Sequence, residues 1–226
     1  MECVKCRVEM LMNSPLVTDS FYHIYNRGVE KRIIFQNSKD YQRFLETINF
    51  YRLHPTPRKL STHIKFNFPP IPKHMLQNPL IEVICFCLMP NHFHLLLRQL
   101  TDNGITEFMR RISDSFTRYF NTKYERVGPL LQGPFKAKVI ESDEYLLQLT
   151  KYIHRNPLSL PAWKQNIRDY TFSSYPGFLN SRRNYEFCNP KFILDYYGKT
   201  GRTSYVSFVE ENDATGIPED LLFDDE

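Results

Sequence analysis

Apolar positions in the first part of the chain follow two different periods. Residues 21–26 alternate between the two faces of an extended chain and are rich in aromatics, which predicts a β-strand. Ser38 then resembles a helix N-cap, and apolar residues recur behind it three and four positions apart. This spacing predicts a helix over residues 39–53, whose apolar face consists of Tyr41, Phe44, Leu45 and Ile48.

The following segment interrupts this regularity. Residues 54–80 contain six prolines, so we expect a long, irregular insertion. Residues 83–89 form a continuous apolar run that is typical of a buried strand, and residues 92–98 predict the next strand. The Met-Pro-Asn sequence between them indicates a tight turn, so the two strands are expected to pair as a hairpin.

The second half of the chain predicts two more helices and one more strand. Residues 106–124 carry a helical apolar stripe, and residues 135–140 alternate as a strand. Ser142 opens the third helix, which Pro157 ends near Asn156. The order β-α-β-β-α-β, followed by a helix, predicts an α+β, ferredoxin-like fold with an antiparallel sheet and two helices on one face.

The predicted elements define one main domain. We expect it to span residues 18–180, between an N-terminal extension (1–17) and a C-terminal extension (181–226) that ends in an acidic tail. No apolar run is long enough to cross a bilayer, and the charged N-terminal residues lack a signal-peptide core, so a cytoplasmic location is expected. Five scattered cysteines are a poor disulfide framework.

Charge is distributed unevenly along the chain. Residues 209–226 hold eight acidic residues and no Lys or Arg. Residues 1–208 therefore contain all 29 basic residues and the other 17 of the 25 acidic residues, which gives them a formal charge of +12. Such a basic body suits a polyanion, and nucleic acid is the obvious candidate, although ordinary solubility charge is the alternative.

Candidate chemistry begins with His92 and His94. On a strand both side chains emerge on one face while Phe93 points the other way, and two adjacent imidazoles can hold a divalent metal. Tyr152 lies on the third helix, and Asn156 stands one turn later on the same face. The amide oxygen of Asn156 could be a third metal ligand, with Gln148 as the alternative.

This combination suits phosphodiester cleavage by a tyrosine nucleophile. A divalent metal would neutralise the anion that the nucleophile must approach. Two imidazoles, one amide oxygen and waters suit Mg²⁺ or Mn²⁺, and would also accept cobalt or zinc. Taken singly, each feature also has an interpretation without function. The His-x-His sequence could be incidental, the tyrosine could pack on the sheet, and the asparagine could only end the helix. A rival zinc site would combine the histidine pair with Cys85 and Cys87. We prefer the interpretation that these two cysteines are buried free thiols, because they lie in an apolar run.

Four segments of the chain resemble the single-tyrosine HUH transposases of the insertion-sequence type, and particularly the REP-associated tyrosine transposases. They are YHIYNRG at residues 22–28, LMPNHFHL at 88–95, LQGPFK at 131–136, and the helix at 145–157 that ends in YIHRNP. A further segment, YTFSSY at 170–175, extends the resemblance, which covers residues 20–180 in family order.

The resemblance implies metal-dependent nicking and strand transfer on single-stranded DNA, often at a hairpin. It implies that His92 and His94 bind the metal, with Asn156 as third ligand, and that Tyr152 becomes joined to a 5′ phosphate. It also places Asn26 and Arg27 near the DNA.

Five further basic residues are expected to hold the DNA backbone through a salt-sensitive, sequence-independent attraction. They are Arg110, Arg111, Arg118, Lys136 and Lys138. Two other functions compete with the transposase hypothesis: a non-catalytic or domesticated regulator that binds DNA hairpins, and a zinc-stabilised structural module. A monomer and a homodimer are equally compatible with the sequence.

Overall fold

A four-stranded antiparallel sheet forms the centre of the molecule in a computed structural model, which describes residues 15–53, 56, 58–69 and 78–211. Its strands are β1 (Phe21–Arg27), β2 (Ile81–Met89), β3 (His92–Gln99) and β4 (Lys136–Ile140). Their order is β2-β3-β1-β4, so the last strand pairs with the first at one edge. The ferredoxin-like α+β plan predicted from the sequence is confirmed, including the β2–β3 hairpin.

Two long helices cover one face of the sheet. They are α1 (Ser38–Tyr51) and α3 (Gly104–Lys123), and between them in the chain lies the short helix α2 (Leu60–Lys65). The Phe44 ring of α1 lies 4.9 Å from that of Phe116 on α3 and 5.0 Å from that of Phe93 on β3. The cap of α1 differs from expectation, because the Asn37 side chain, rather than Ser38, accepts the hydrogen bond from the amide of Lys39.

Helix α4 (Asp143–Arg155) packs on the opposite face of the sheet. The predicted cap is confirmed, since the Ser142 hydroxyl accepts a hydrogen bond from the amide of Tyr145 at 3.2 Å. Leu146, Leu149 and Ile153 are buried on its inner side, in one apolar cluster with residues of β2 and β3.

The chain beyond α4 forms three more helices on this second face: α5 (Tyr175–Leu179), α6 (Pro190–Leu194) and α7 (Gly201–Glu210). Tyr205 and Val209 of α7 are fully buried in the apolar cluster of α4. Residues 190–209 therefore pack into the structure, whereas the division of the chain at residue 180 stays a prediction. The N-terminal residues up to 14 and most of the acidic tail, from 212 on, lie outside the described residues.

The proline-rich segment is less irregular than expected, because α2 occupies part of it. A six-residue helix spans fewer than two turns, so it leaves no readable apolar period in the sequence. Within the described ranges, no helix has both the length and the apolar character needed to cross a membrane.

Candidate active site

His92 and His94 lie together at one end of the sheet, on the face that α4 covers. The β1–β3 register places Arg27 opposite His92 and Tyr25 opposite His94. Cross-strand partners share a face, so these four side chains form one cluster. The two histidine rings are nearly perpendicular, with centroids 5.0 Å apart, which confirms the same-face geometry expected from the His-x-His spacing.

Helix α4 brings Tyr152 to this cluster. The Tyr152 ring stands edge-on to His94 at 5.4 Å between centroids, and edge-on to His23 of β1 at 6.2 Å. Tyr152 is only half-buried, whereas Ile153, the next residue, points into the apolar cluster. The helix thus turns its tyrosine towards the histidines while its apolar side anchors it to the sheet.

Asn156, at the end of the same helix, completes the group. Its amide nitrogen donates to the backbone carbonyl of Tyr152 at 3.1 Å. This hydrogen bond fixes the orientation of the amide, so that Oδ1 faces His92 Nε2 at 3.4 Å. The contact supports Asn156, rather than Gln148, as the side chain next to the histidine pair.

The side chain of Asn91 determines which nitrogen of His92 carries the hydrogen. Its amide nitrogen donates to the Lys31 carbonyl at 3.3 Å, which turns its Oδ1 to His92 Nδ1 at 2.7 Å. A neutral imidazole has one N–H, and the shorter contact with Asn91 takes it. Two lone pairs, on His92 Nε2 and Asn156 Oδ1, therefore converge, an arrangement that is unfavourable alone and favourable around a cation.

His94 is fully buried and bonded to a third histidine. Its Nδ1 lies 2.9 Å from Nε2 of His23, which is also buried. Burial lowers the pKa of His94 well below its ordinary value, and the charges of His23 and His92 lower it further. Burial, followed by the charge of Lys138, lowers the pKa of His23 to about 3. Both rings are therefore neutral at pH 7, the form in which histidine binds metals.

These donors fit a divalent cation. Two neutral imidazoles and one amide oxygen would bind it, and waters or phosphate oxygens would complete the coordination. Among the described residues no three His, Cys, Asp or Glu side chains are grouped closely enough to hold a metal. Asn156 is the side chain of another type that could act as a third ligand.

The rival zinc site receives no support from the described part of the chain. The β2–β3 register places Cys87 opposite His94 but Cys85 opposite Leu96. Both thiols are fully buried, and burial raises their pKa, well above the ordinary value for Cys85. Zinc binds the thiolate, which this environment disfavours.

Two of the predicted DNA-binding lysines lie beside the cluster. Lys136 and Lys138 of β4 pair with Tyr25 and His23, so they share the face that carries His94. The Lys138 ammonium lies 5.3 Å from the centre of the Tyr145 ring, and that of Lys136 lies 5.9 Å from the centre of the Tyr25 ring. Together they form a basic strip along the edge strand, next to the histidines.

Asn26 and Arg27 connect β1 to the loop that precedes β4. Asn26 points to the other face and is buried, and its amide donates to the Gly133 carbonyl at 3.2 Å. The Arg27 Nε donates to Gln132 Oε1 at 2.8 Å. Arg27 is half-buried opposite His92, so it is the better placed of the two for contact with a strand at the site.

The three arginines of α3 lie elsewhere, because α3 packs on the face that Phe93 occupies, away from His92 and His94. Arg110, Arg111 and Arg118 line a separate cavity of about 840 Å³. Arg110 and Arg111 both bind Glu107, at 2.9 Å and 2.6 Å. The structure therefore divides the predicted basic residues between two surfaces.

His23 and Asn91 were not singled out from the sequence as site residues, although both lie in the segments that carry the family resemblance. A single histidine in an alternating strand is usually a packed side chain, so only the contact with His94 reveals its place. For His23 the available signal was its position two residues before Tyr25, on the same strand face.

Comparison with known proteins finds a similar family and a similar fold. A family model described as "Transposase IS200 like" matches residues 58–156, a range that contains both histidines, Tyr152 and Asn156. The structure of a REP-associated tyrosine transposase bound to a REP hairpin matches at 17% identity and a TM-score of 0.51, covering 76% of this chain and 85% of that one.

Other matches are weaker. A bacterial tRNA(His) guanylyltransferase (Thg1)-like protein in complex with GTP matches at 14% identity and a TM-score of 0.38, over 74% of this chain and 79% of that one. No curated protein matches the sequence significantly.

Proposed function

Since the family model and the shared fold support the IS200/REP tyrosine transposase family for this chain, we propose that it nicks single-stranded DNA and transfers the cut strand through a covalent 5′-phosphotyrosine on Tyr152. The match to a transposase family model supports an enzyme that acts on DNA.

One observation carries it: the Oδ1 of Asn156 lies 3.4 Å from His92 Nε2, while its amide nitrogen holds the backbone of Tyr152. A single helix therefore supplies both the nucleophile and a metal ligand, at a fixed separation along the helix axis. Such fixed placement would hold the tyrosine in position for in-line attack on the phosphate.

The reaction proceeds by two exchanges at phosphorus. The Tyr152 oxygen attacks the scissile phosphate, loses its proton to solvent, and forms the phosphotyrosine bond. The bond from phosphorus to the 3′ oxygen breaks, and that oxygen takes up a proton to become a 3′ hydroxyl. Later a 3′ hydroxyl attacks the phosphotyrosine and releases Tyr152, so rejoining needs no external energy source.

His92, His94 and Asn156 would hold a divalent cation, Mg²⁺ or Mn²⁺, which when bound neutralises charge on the phosphate. Burial of His94 keeps its ring neutral and fixed. Arg27, Lys136 and Lys138 stand on the same face and would hold the backbone of the strand on either side of the scissile phosphate. Tyr25, half-buried between them, offers a ring on which an unpaired base can stack.

The substrate proposed is a single strand or a DNA hairpin. The related structure contains a REP hairpin, which is a property of that protein. The arginines lining the cavity of α3 form a second basic surface, which we assign to the backbone of the same DNA beyond the cleavage site.

A denaturing gel with labelled hairpin DNA, with and without Mn²⁺, tests the proposal. We expect a metal-dependent protein–DNA band that resists denaturant and is absent in Tyr152→Phe. Tyr196→Phe is the matched control, because Tyr196 is an exposed tyrosine whose hydroxyl bonds Asp143 at the start of α4. An adduct that persists in Tyr152→Phe would exclude this nucleophile. Tight hairpin binding without any adduct would favour the regulator hypothesis.

A further inference from the structure

We propose that His23 is a positioning residue of this site, one that fixes the tautomer and the ring orientation of His94. The inference rests on the proposed function, in which His94 is a metal ligand. It adds a residue from β1 to the proposed metal ligands and nucleophile, which come from β3 and from α4 and its C-cap.

The two rings are in direct contact inside the protein. His23 Nε2 lies 2.9 Å from His94 Nδ1, and the rings stack with an interplanar angle of 19° and centroids 5.1 Å apart. Their relative exposures are 2% and 0%, so water does not compete for this hydrogen bond. In the β1–β3 register His23 stands opposite Leu96, two residues from His94 on the same face, which makes the two histidines diagonal neighbours.

The bond between two neutral imidazoles contains one proton, which has two possible positions. When His94 Nδ1 donates it, His94 Nε2 carries a lone pair and can bind a metal. When His23 Nε2 donates it, His94 Nε2 has to carry the hydrogen and cannot bind. Only the first arrangement serves a metal site, and it requires His23 to accept through Nε2.

His92 follows the same rule with a different partner. Its Nδ1 donates to Asn91, which leaves Nε2 as the atom that faces Asn156. Both metal-binding histidines therefore have their Nδ1 bonded to a fixed acceptor, one on β1 and one in the turn before β3. Partners of this kind commonly contribute 10- to 100-fold to metal affinity or activity, by holding the ligand ring and its tautomer.

His23 is not itself placed as a ligand. Its Nε2, the atom closest to the site, is already bonded to His94. The described residues contain no group of three His, Cys, Asp or Glu side chains close enough to share a metal. A role through His94 is therefore the one that the contacts support.

Two variants separate this role from a purely structural one. His23→Gln keeps an acceptor oxygen near the position of Nε2, whereas His23→Leu removes the acceptor and keeps an apolar side chain of similar volume. The first readout is Mn²⁺ affinity, measured by electron paramagnetic resonance without DNA. We expect a loss of about 10- to 100-fold in His23→Leu, largely restored in His23→Gln. Circular dichroism and thermal melting serve as the control that each variant is folded.

The second readout needs no mutation. Long-range ¹H–¹⁵N spectra of metal-free wild-type protein, with ¹⁵N-labelled histidine, report which nitrogen of His94 carries hydrogen. We expect the Nδ1–H tautomer. An Nε2–H tautomer, unchanged Mn²⁺ affinity in folded His23→Leu, equal losses in both variants, or no Mn²⁺ binding by the wild type would each overturn the inference.

Failure of the inference can be distinguished from failure of the proposed function. If Mn²⁺ affinity depends on His23 but no Tyr152 adduct forms on DNA, the positioning role stands and the nicking function fails. If the adduct forms and His23→Leu binds Mn²⁺ normally, the function stands and the positioning role fails.

Discussion

The imidazole Nδ1 of His154 lies 2.7 Å from the hydroxyl of Tyr205, a residue 51 positions further along the chain. On the other side of the ring, Nε2 lies 2.7 Å from the Ser174 hydroxyl, which also accepts from the amide of Phe86 on β2. His154 thus joins the sheet, the tyrosine-bearing helix and α7 through one buried network. The complete burial of His154 shows that it is a core residue.

Tyr205→Phe is expected to destabilise the protein by about 1–3 kcal/mol, because it leaves His154 Nδ1 buried without its partner. Ser207→Ala, an exposed change on the same helix, should shift the free energy of unfolding by no more than about 0.5 kcal/mol. Urea denaturation measures both values. Equal stabilities of the two variants would show that the network contributes little.

Asn156→Ala should weaken Mn²⁺ binding by more than about tenfold, since even the loss of an outer partner of a ligand costs 10- to 100-fold. Asn156→Asp keeps an oxygen next to His92 and should retain binding. Isothermal titration with Mn²⁺, without DNA, makes the comparison. If the Asn156→Ala variant binds Mn²⁺ as tightly as the wild type, the third ligand is another group and Gln148 becomes the next candidate.

Replacing Lys136 and Lys138 together with Gln should reduce the dependence of single-strand affinity on salt. Each phosphate contact contributes about 0.7 to the slope of log K against log salt, so the slope should fall by about 1.4. Lys191→Gln is the control, because Lys191 is exposed and pairs with Asp195 on its own part of the chain. Fluorescence anisotropy at several salt concentrations gives the slopes, and an unchanged slope would remove β4 from the DNA surface.

Asp40 should make stability depend on pH in the acid range. Burial alone would raise the pKa of this carboxyl, but hydrogen bonds from Lys123, Tyr124, the Gln36 amide and Tyr119 together lower it below the ordinary 3.8. A lowered pKa stabilises the fold above the unfolded value, and the contribution disappears as pH falls through the folded value.

Asp40→Asn should therefore cost about 1.5–3 kcal/mol near pH 7, the range for hydrogen bonds to a charged group. The difference from wild type should shrink as pH falls below about 3.8. Urea denaturation at a series of pH values measures it. A difference that stays constant down to the lowest pH would assign the cost to shape rather than to charge.

The helices α1, α3 and α4 could be predicted because each carries a long apolar period, and the strands because each shows an alternating pattern or a continuous apolar run. The short helices α5 and α6 could not, because five residues contain too few apolar positions to show one. The His-x-His geometry follows from the period of a strand, and the Tyr152–Asn156 spacing from the period of a helix.

The relation between separate elements was harder to foresee. A helical period shows which side of α3 is polar, but not which face of the sheet the helix covers. The sequence therefore grouped the arginines of α3 with the lysines of β4 as DNA contacts, without showing that they lie on two different surfaces. The contact of His23 with His94 depends on the register of two strands 71 positions apart, which no local pattern encodes.

All four candidate residues, His92, His94, Tyr152 and Asn156, meet within one chain, and the buried network behind α4 ties that helix to its own sheet. Under the proposed function, one protomer therefore carries its own nucleophile and needs no tyrosine from a neighbour to cut one strand. Adduct formation on excess DNA should accordingly be first order in protein, with a yield per molecule that does not change on dilution.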